Sequence, residues 1–284
     1  MAARNTHIPL ILGSATVLGL GVMALGGSGA VSEIIDDGLA WAHGIIDRVS
    51  RHEGGFDALN LNSDGAGLSF GMLQWAQEPG SLGVLLQAMY RADPARFQAT
   101  FGPAHRELVK VTLQGSLAPV GGALLWKQPW VDRFTQAGRD PVFQAVQRRL
   151  AVDGPYFKAA LECSRILGIR TERSLALFMD AAVQQGAGFA TRLAAKVARV
   201  HPPTAGDLAT LRVFAEQCGA PFIRRTPPEG PHAKAPRLQW HQVGPSEWHV
   251  RAGAFDLYTN VMKRRMGIVE DRSLSDTPIR LAEV

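Results

Sequence analysis

The stretch from residue 53 to residue 71 constrains the fold most, because it places two carboxylates where a helix gives way to a hairpin. Apolar residues before it recur at the spacing of one helical face, at Ile35, Leu39, Ala42, Ile46 and Val49. Four residues further on, Glu53 continues the same apolar stripe. Gly54 and Gly55 follow, and glycine readily adopts the left-handed conformation that ends a helix. The sequence therefore predicts a helix that ends in a carboxylate held against apolar surface.

A β-hairpin is predicted directly after this helix. Residues 58–62 are extended, residues 63–67 have the composition of a turn, and residues 68–73 form the return strand. Asp64 lies in the turn and is folded back toward the helix end. Burial against apolar surface raises the pKa of a carboxyl, as a general acid requires, whereas a carboxyl on a polar turn stays ionised. Glu53 and Asp64 are therefore the candidate acid and base of a glycoside hydrolase. A structural Asp-Gly turn beside a solvated helix end would show the same pattern.

Taken together, these residues resemble a known family. Glu53-Gly54-Gly55 and residues 67–75 resemble the catalytic helix and β-hairpin of the lysozyme-like superfamily. The Asp-x-x-Gly-x-Ser pattern that begins at Asp64 is similar to the chitosanase branch, and residues 178–186 resemble a later helix of that branch. The resemblance covers residues 34 to 200. It implies a mainly α fold of the lysozyme-like α+β kind, with one small β-hairpin next to the catalytic helix. The spacing from Glu53 to Asp64 is shorter than in chitosanases, which concerns substrate and stereochemistry more than fold.

The resemblance also implies a function, namely cleavage of β-1,4 linkages in an aminosugar polymer, with peptidoglycan ahead of chitosan. Glu53 would be the general acid and Asp64 the base that activates water. Ser69 would orient that water, while Gln74 and Trp75 would bind sugar. Transglycosylation driven by Glu53 alone is the alternative if Asp64 lies too far away. A non-catalytic wall-binding or structural component of an envelope or phage assembly is the alternative from another class, and the intact carboxylate pair argues against it.

Asp180 lies within a nearly all-apolar helix predicted for residues 174–185. A buried carboxylate needs a cation or several hydrogen-bond donors, and Arg173 and Arg192 are the candidate partners. This pattern favours a structural ion pair over a catalytic role. The resemblance to chitosanases implies the same, a carboxylate–arginine network that supports the catalytic glutamate. Asp180 is therefore counted with the substrate-site residues in a supporting role.

Composition divides the chain into three predicted segments: an apolar start (1–32), a catalytic domain (33–220), and a proline-rich crossing followed by a helical extension (221–284). Within the middle segment, Asp93-Pro94 and Asp140-Pro141 predict helix starts, because proline is favoured at the first helical position. The alternation of apolar residues at Val109, Val111 and Leu113 indicates a strand.

The apolar start suggests export. Residues 8–32 contain no charged side chain and are long enough to cross a bilayer. Arg4 precedes this run and acidic residues follow it, a bias that favours translocation of the remainder. A membrane anchor and a cleaved signal peptide both fit, and both predict a periplasmic or extracellular protein. A flexible apolar arm buried in an assembly is the third interpretation.

Charge and cysteine content limit the partners and cofactors. The formal net charge of +5 and the sequence pI of about 9.6 suit an anionic partner such as a cell wall or a membrane face. No nucleic-acid partner is expected, because the basic run at residues 263–265 suits the carboxyl end of a helix. The sequence has no zinc, P-loop or dinucleotide motif, so neither a metal nor a cofactor is expected. Cys163 and Cys218 are either one disulfide or two buried free thiols.

Overall fold

The computed structural model describes residues 40–63, 65–201, 207–229, 238–252 and 255–279, with the side chains of residues 40, 51–53 and 252 left out. The chain divides into two compact units between Gly154 and Pro155. The predicted boundary at residue 220 falls inside the second unit, between two helices that pack on each other. The predicted limits of the catalytic domain remain a prediction.

The first unit is helical with one small sheet. In its described residues the order of elements is α1 (Ala40–Glu53), β1 (Leu59–Leu61), β2 (Leu68–Phe70), β3 (Trp75–Ala76), α2 (Ser81–Ala92), α3 (Pro94–Phe101), α4 (His105–Leu113), α5 (Trp130–Arg139) and α6 (Pro141–Asp153). The three strands are antiparallel in the order β1-β2-β3, with Leu59 opposite Phe70 and Ser69 opposite Ala76. The predicted hairpin is thereby confirmed, and β3 adds a third strand to it.

The helix starts of this unit follow from local side-chain chemistry. Asp93 and Asp140 each accept a hydrogen bond from a backbone N–H of the first turn, and a proline follows each of them. Both starts were predicted from the Asp-Pro pairs. The predicted strand around Val109 is wrong, since those residues belong to α4.

Aromatic rings fill the core of the first unit. The rings of Phe97 and Phe101 lie 4.5 Å apart between centroids, and those of Phe70 and Phe134 lie 5.1 Å apart. Phe70 comes from β2, so this packing fixes the hairpin against α5. The sheet is therefore held by the core of the unit as well as by its own hydrogen bonds.

The second unit has five helices and four short strands in its described residues. Their order is α7 (Pro155–Leu167), α8 (Glu172–Gln185), α9 (Ala187–Val200), α10 (Asp207–Gly219), a 3-10 turn (Ala220–Phe222), β4 (Ile223–Arg224), β5 (Gln239–Gly244), β6 (Glu247–Ala252), β7 (Phe255–Asp256) and α11 (Leu257–Glu270). The antiparallel sheet has the order β4-β6-β5, and β7 also pairs with β6. Every residue of α8 from Arg173 to Val183 is buried, which confirms the expectation of a central helix.

Arg173 fastens the segment after α11 to α8. Its guanidinium donates to the carbonyl oxygens of Val269 and Asp271, each at 2.8 Å, and of Leu274 at 2.9 Å. It also pairs with the Asp276 carboxylate, which raises the pKa of Arg173 through the side-chain hydrogen bond, against the opposing effect of burial. Arg173 thus satisfies carbonyl groups in the last turn of α11 and in the segment that follows it.

Among the described residues, none of the helices combines the length and the apolar character needed to cross a bilayer. The uncharged run at residues 8–32 lies outside those residues.

Candidate active site

The first candidate carboxylate stands at the end of α1, where the backbone leaves the helix through two glycines. Gly54 and Gly55 have φ angles of 107° and 91°, and their N–H groups donate to the carbonyl oxygen of Ser50 at 3.0 and 3.2 Å. The glycine-capped helix end is therefore confirmed. Glu53 is the last residue of α1. Its side chain, and Asp64 as a whole, lie outside the described residues.

The apolar stripe that leads to Glu53 is buried. Ala42, Ile46 and Val49 have no exposed surface, and neither has Ile45 beside them. Ile35 and Leu39, which were predicted to begin the stripe, lie outside the described residues. The helix that presents Glu53 is thus anchored by its apolar face over its last three turns.

Two asparagines hold the backbone on either side of the turn that contains Asp64. The Asn60 side-chain oxygen accepts from the N–H and the hydroxyl of Ser63, at 2.9 and 2.7 Å. The Asn62 side-chain oxygen accepts from the N–H of Gly67 at 2.9 Å, and Asn62 itself has a φ of 66°. Sequence reasoning missed both residues, although asparagine beside Asp-Gly is a known signal for such turns.

Ser69 lies in the middle strand of the hairpin with 1% of its surface exposed. Its hydroxyl has no hydrogen-bond partner among the residues that the structure describes. A buried hydroxyl without a partner is uncommon, because it forfeits its hydrogen bonds to water. The predicted role of Ser69 in orienting water stays a prediction.

Gln74 lies in the bend between β2 and β3, and Trp75 begins β3 opposite Phe70. Gln74 has a φ of 53°, and its side-chain N–H groups donate to the carbonyl oxygens of Gly71 at 3.0 Å and Ala58 at 3.4 Å. Trp75 is half-buried and packs against the core of the first unit. Both residues thus contribute to the packing and hydrogen bonding of the hairpin. Their predicted contacts with sugar stay predictions.

Two further glutamines brace the hairpin, and sequence reasoning found neither. Gln147 on α6 accepts from the N–H of Met72 at 3.0 Å and donates to the carbonyl oxygen of Phe56 at 3.1 Å. Gln77 accepts from the N–H of Leu68 at 3.2 Å and donates to the carbonyl oxygen of Ser116 at 2.7 Å. Both side chains are fully buried. A rigid hairpin is what positions a catalytic group on its turn.

Asp180 is fully buried in α8, and two arginines of α11 surround its carboxylate. Arg264 pairs with one carboxylate oxygen and Arg265 with the other. Arg265 also donates to the Asp180 carbonyl oxygen at 3.1 Å and to Gln184 at 2.9 Å. These partners replace the two arginines predicted from the sequence, because α11 packs directly on α8. The predicted partner Arg173 binds Asp276 instead.

The two cysteines are free thiols, and both are buried in the second unit. Burial raises the pKa of Cys163 to about 12, with a smaller contribution from the negative charge of Glu162. Burial likewise raises the pKa of Cys218. Of the two open interpretations, the structure has free thiols. Within the described ranges, no group of three or more His, Cys, Asp or Glu side chains is arranged to hold a metal ion.

This architecture defines a class of fold: a mainly helical, lysozyme-like protein with a small antiparallel sheet after its first described helix. The chain is similar to the GH46 chitosanase of Gynuella sunshinyii, solved in complex with chitotetraose, with a TM-score of 0.50 and 18% identity over 82% of this chain and 87% of that chain. It is also similar to the native chitosanase of Bacillus subtilis MY002, with a TM-score of 0.46 and 17% identity over 65% of this chain and 77% of that one. No family model and no curated protein matches the sequence. The first of these likenesses confirms the predicted fold, mainly helical with a small antiparallel sheet.

Proposed function

We propose that the protein is a glycoside hydrolase that cleaves β-1,4 linkages in an aminosugar polymer. The observation that carries this proposal is the glycine-capped end of α1 at Glu53, followed by a braced hairpin, in a chain with the chitosanase fold. The Gynuella chitosanase of this fold was solved with an aminosugar tetramer. The same class of polymer is the proposed substrate here.

In the proposed mechanism, Glu53 protonates the leaving glycosidic oxygen and Asp64 activates water on the opposite face of the sugar. The hydroxyl of Ser69, which has no partner within the described residues, is proposed to orient that water. Inverting glycosidases separate the two carboxyl groups by roughly 6.5–9.5 Å, so that a water molecule fits between them. The chitosanase-like pattern favours this longer separation. Transglycosylation by Glu53 alone is the alternative outcome.

Peptidoglycan is the proposed polymer, and chitosan is the alternative. Chitosan carries many positive charges, whereas the peptide stems of peptidoglycan carry carboxylates. The chain has a formal net charge of +5, so long-range electrostatics favours encounter with the anionic polymer. Charge thus supports peptidoglycan, although the fold is shared with proteins named for chitosan.

Glu53→Gln tests the proposal, because glutamine keeps the size of the side chain and removes the transferable proton. We expect hydrolysis of cell-wall sacculi, or of chitosan, to fall by about 10²–10⁴-fold, the usual contribution of a general acid. Release of reducing ends measures this loss. Binding to the polymer and the melting temperature should both stay within error of the parent protein.

The matched control is Glu78→Gln, which makes the same change at an exposed glutamate of the first unit. This control should cleave as fast as the parent. If Glu53→Gln also cleaves as fast as the parent, Glu53 is not the acid. If the parent binds sacculi without cleaving any aminosugar polymer, the protein is a wall-binding or structural component.

A further inference from the structure

A cavity of about 390 Å³ opens between α2 and α4 in the first unit. It is lined by Gln87, Tyr90, Arg91, His105, Arg106 and Val109, and we call it the α2–α4 pocket. The two helix backbones meet closely elsewhere along this pair, since a Cβ on Gly83 would lie 2.2 Å from the backbone nitrogen of Leu113. The pocket lies further along the same two helices, where larger side chains stand in place of the close backbone contact at Gly83.

Two positive charges line this pocket, and no described residue neutralises either of them. Arg91 and Arg106 are both exposed, and neither guanidinium has an ion-pair or hydrogen-bond partner in the part of the chain that the structure describes. The carboxylates nearest in sequence are engaged elsewhere: Asp93 pairs with Arg96, and Glu107 accepts from the N–H of Gly121 at 3.0 Å. No carboxylate is among the described residues that line the pocket.

The rings on the pocket wall are held in place. Tyr90 and His105 stack with centroids 5.9 Å apart and planes at 29°, and Phe97 meets His105 edge-on. His105 is buried, and its Nδ1 lies 3.0 Å from the carbonyl oxygen of Gly102. Because a carbonyl oxygen only accepts, Nδ1 carries the hydrogen of this bond. The two arginines therefore stand beside a wall that is already ordered, which lowers the entropic cost of binding.

We propose that the α2–α4 pocket binds an oxyanion, a carboxylate or a phosphate, held between the guanidinium groups of Arg91 and Arg106. Guanidinium presents a planar fork of N–H donors that matches two oxygens of either group. Gln87 and Tyr90, whose side chains carry neutral hydrogen-bond donors, also line the pocket. That the oxyanion belongs to a wall polymer rests on the proposed function above. That the pocket binds an oxyanion does not depend on that function.

The test compares the parent with Arg91→Gln/Arg106→Gln and with the control Arg149→Gln/Lys158→Gln. Both double variants lose two positive charges, and the control positions are exposed and without ion pairs within the described residues. Calorimetry would measure binding of inorganic phosphate and of N-acetylmuramic acid, which carries a carboxylate. N-acetylglucosamine serves as the uncharged sugar. Ring signals of Tyr90 and His105 would report binding at the pocket by NMR.

We expect the parent to bind at least one of the two anions and to shift the Tyr90 and His105 signals. The pocket variant should lose about tenfold or more in affinity, as expected for removal of charge-assisted hydrogen bonds. The control should stay within about twofold. Tighter binding of phosphate would point to a phosphate-bearing wall polymer, and tighter binding of N-acetylmuramic acid to a polymer that bears carboxylates, such as those on the peptide stems of peptidoglycan.

Three results would overturn this proposal: no binding of either anion by the parent, equal losses in the two double variants, or unchanged affinity in the pocket variant. Melting temperatures check that each variant folds, and both sites are exposed enough to accept glutamine. Glu53→Gln, tested in the same way, should bind the anions as the parent does. Failure of oxyanion binding and failure of hydrolysis can therefore be told apart.

Discussion

Asp180 is a buried charge that is neutralised by partners far away in the sequence. Its carboxylate is fully buried in α8, and Arg264 and Arg265 of α11 neutralise it. Arg265 is itself fully buried, so removal of Asp180 would leave a guanidinium inside the protein without its carboxylate. Breaking a buried pair in this way is strongly destabilising.

We expect Asp180→Ala to lower the free energy of unfolding by about 3–5 kcal/mol. Urea denaturation at neutral pH measures the change. Glu216→Ala is the control, since Glu216 is an exposed carboxylate of the same unit and should change stability by less than about 0.5 kcal/mol. Any activity should fall together with stability. Lost activity at unchanged stability would instead give Asp180 a catalytic role.

The sequence predicted the burial of Asp180 but not its partners. The apolar pattern of residues 174–185 was enough to bury the carboxylate. Arg264 and Arg265 belong to a basic run that was interpreted as cations at a helix end, because that local explanation accounted for the charges. Only the packing of α11 on α8 shows that two of these cations point inward. Long-range ion pairs leave no local signal.

At the scale of elements, the hairpin after α1 depends on one glycine and one glutamine. Gly71 has a φ of 81°, and a Cβ at this position would lie 2.4 Å from the side-chain oxygen of Gln147. Gln147 has no freedom to yield, because both ends of its amide bind the backbone of the hairpin and of the loop before it. The hairpin and α6 therefore fit together only around a glycine.

Gly71→Ala should lower the free energy of unfolding by about 2–4 kcal/mol, from backbone strain and overpacking together. Gly122→Ala is a close control, since Gly122 also has a φ of 81° but a Cβ there would meet nothing within 4 Å. The control should lose only about 1 kcal/mol, the cost of the left-handed backbone. Thermal and urea unfolding measure both variants. Equal losses would show that the contact with Gln147 does not constrain the hairpin.

Local sequence patterns predicted some elements of the first unit correctly and one of them wrongly. The Asp-Pro helix starts and the hairpin were predicted, because caps and turns are encoded by adjacent residues. Helix α4 was interpreted as a strand, because Val109, Val111 and Leu113 alternate. The buried positions of α4 are instead His105, Leu108 and Thr112, three and four residues apart, and Leu113 is 39% exposed. Helical packing against α2 therefore outweighed the alternation.

At the scale of the whole molecule, the lysozyme-like fold was predicted from a family resemblance, whereas the sheet of the second unit was not predicted. The resemblance was carried by the helix–hairpin motif together with residues 178–186, and the likeness to the Gynuella chitosanase confirms the fold. Strands β5 and β6 form the longest pair of the described residues, yet residues 239–250 were not interpreted as strands. Both faces of β5 carry polar side chains, and its apolar residues Trp240 and Val243 lie on opposite faces, so the alternation that marks a half-buried strand is missing.

Export is a proposal at the same scale, and two features of the chain motivate it. Residues 8–32 are uncharged, with a basic residue before them and acidic residues after them. Exposed free thiols would be oxidised in an oxidising compartment, but Cys163 and Cys218 are both fully buried. Burial also raises the pKa of Cys163 to about 12, so little reactive thiolate forms near neutral pH. Free cysteines are thus compatible with an exported protein.

We expect expression in a bacterium to place the full chain in the periplasm, the medium or the membrane fraction. Fractionation followed by amino-terminal sequencing measures this, and the position of the first residue separates a cleaved signal from an anchor. A variant with Leu18→Arg and Val22→Arg, which interrupts the uncharged run, is the control and should stay in the cytoplasm. Thiol titration of the exported product should find no reactive cysteine in the native protein and two after denaturation. Uncleaved, soluble parent protein confined to the cytoplasm would contradict export and favour an apolar arm that is buried in an assembly.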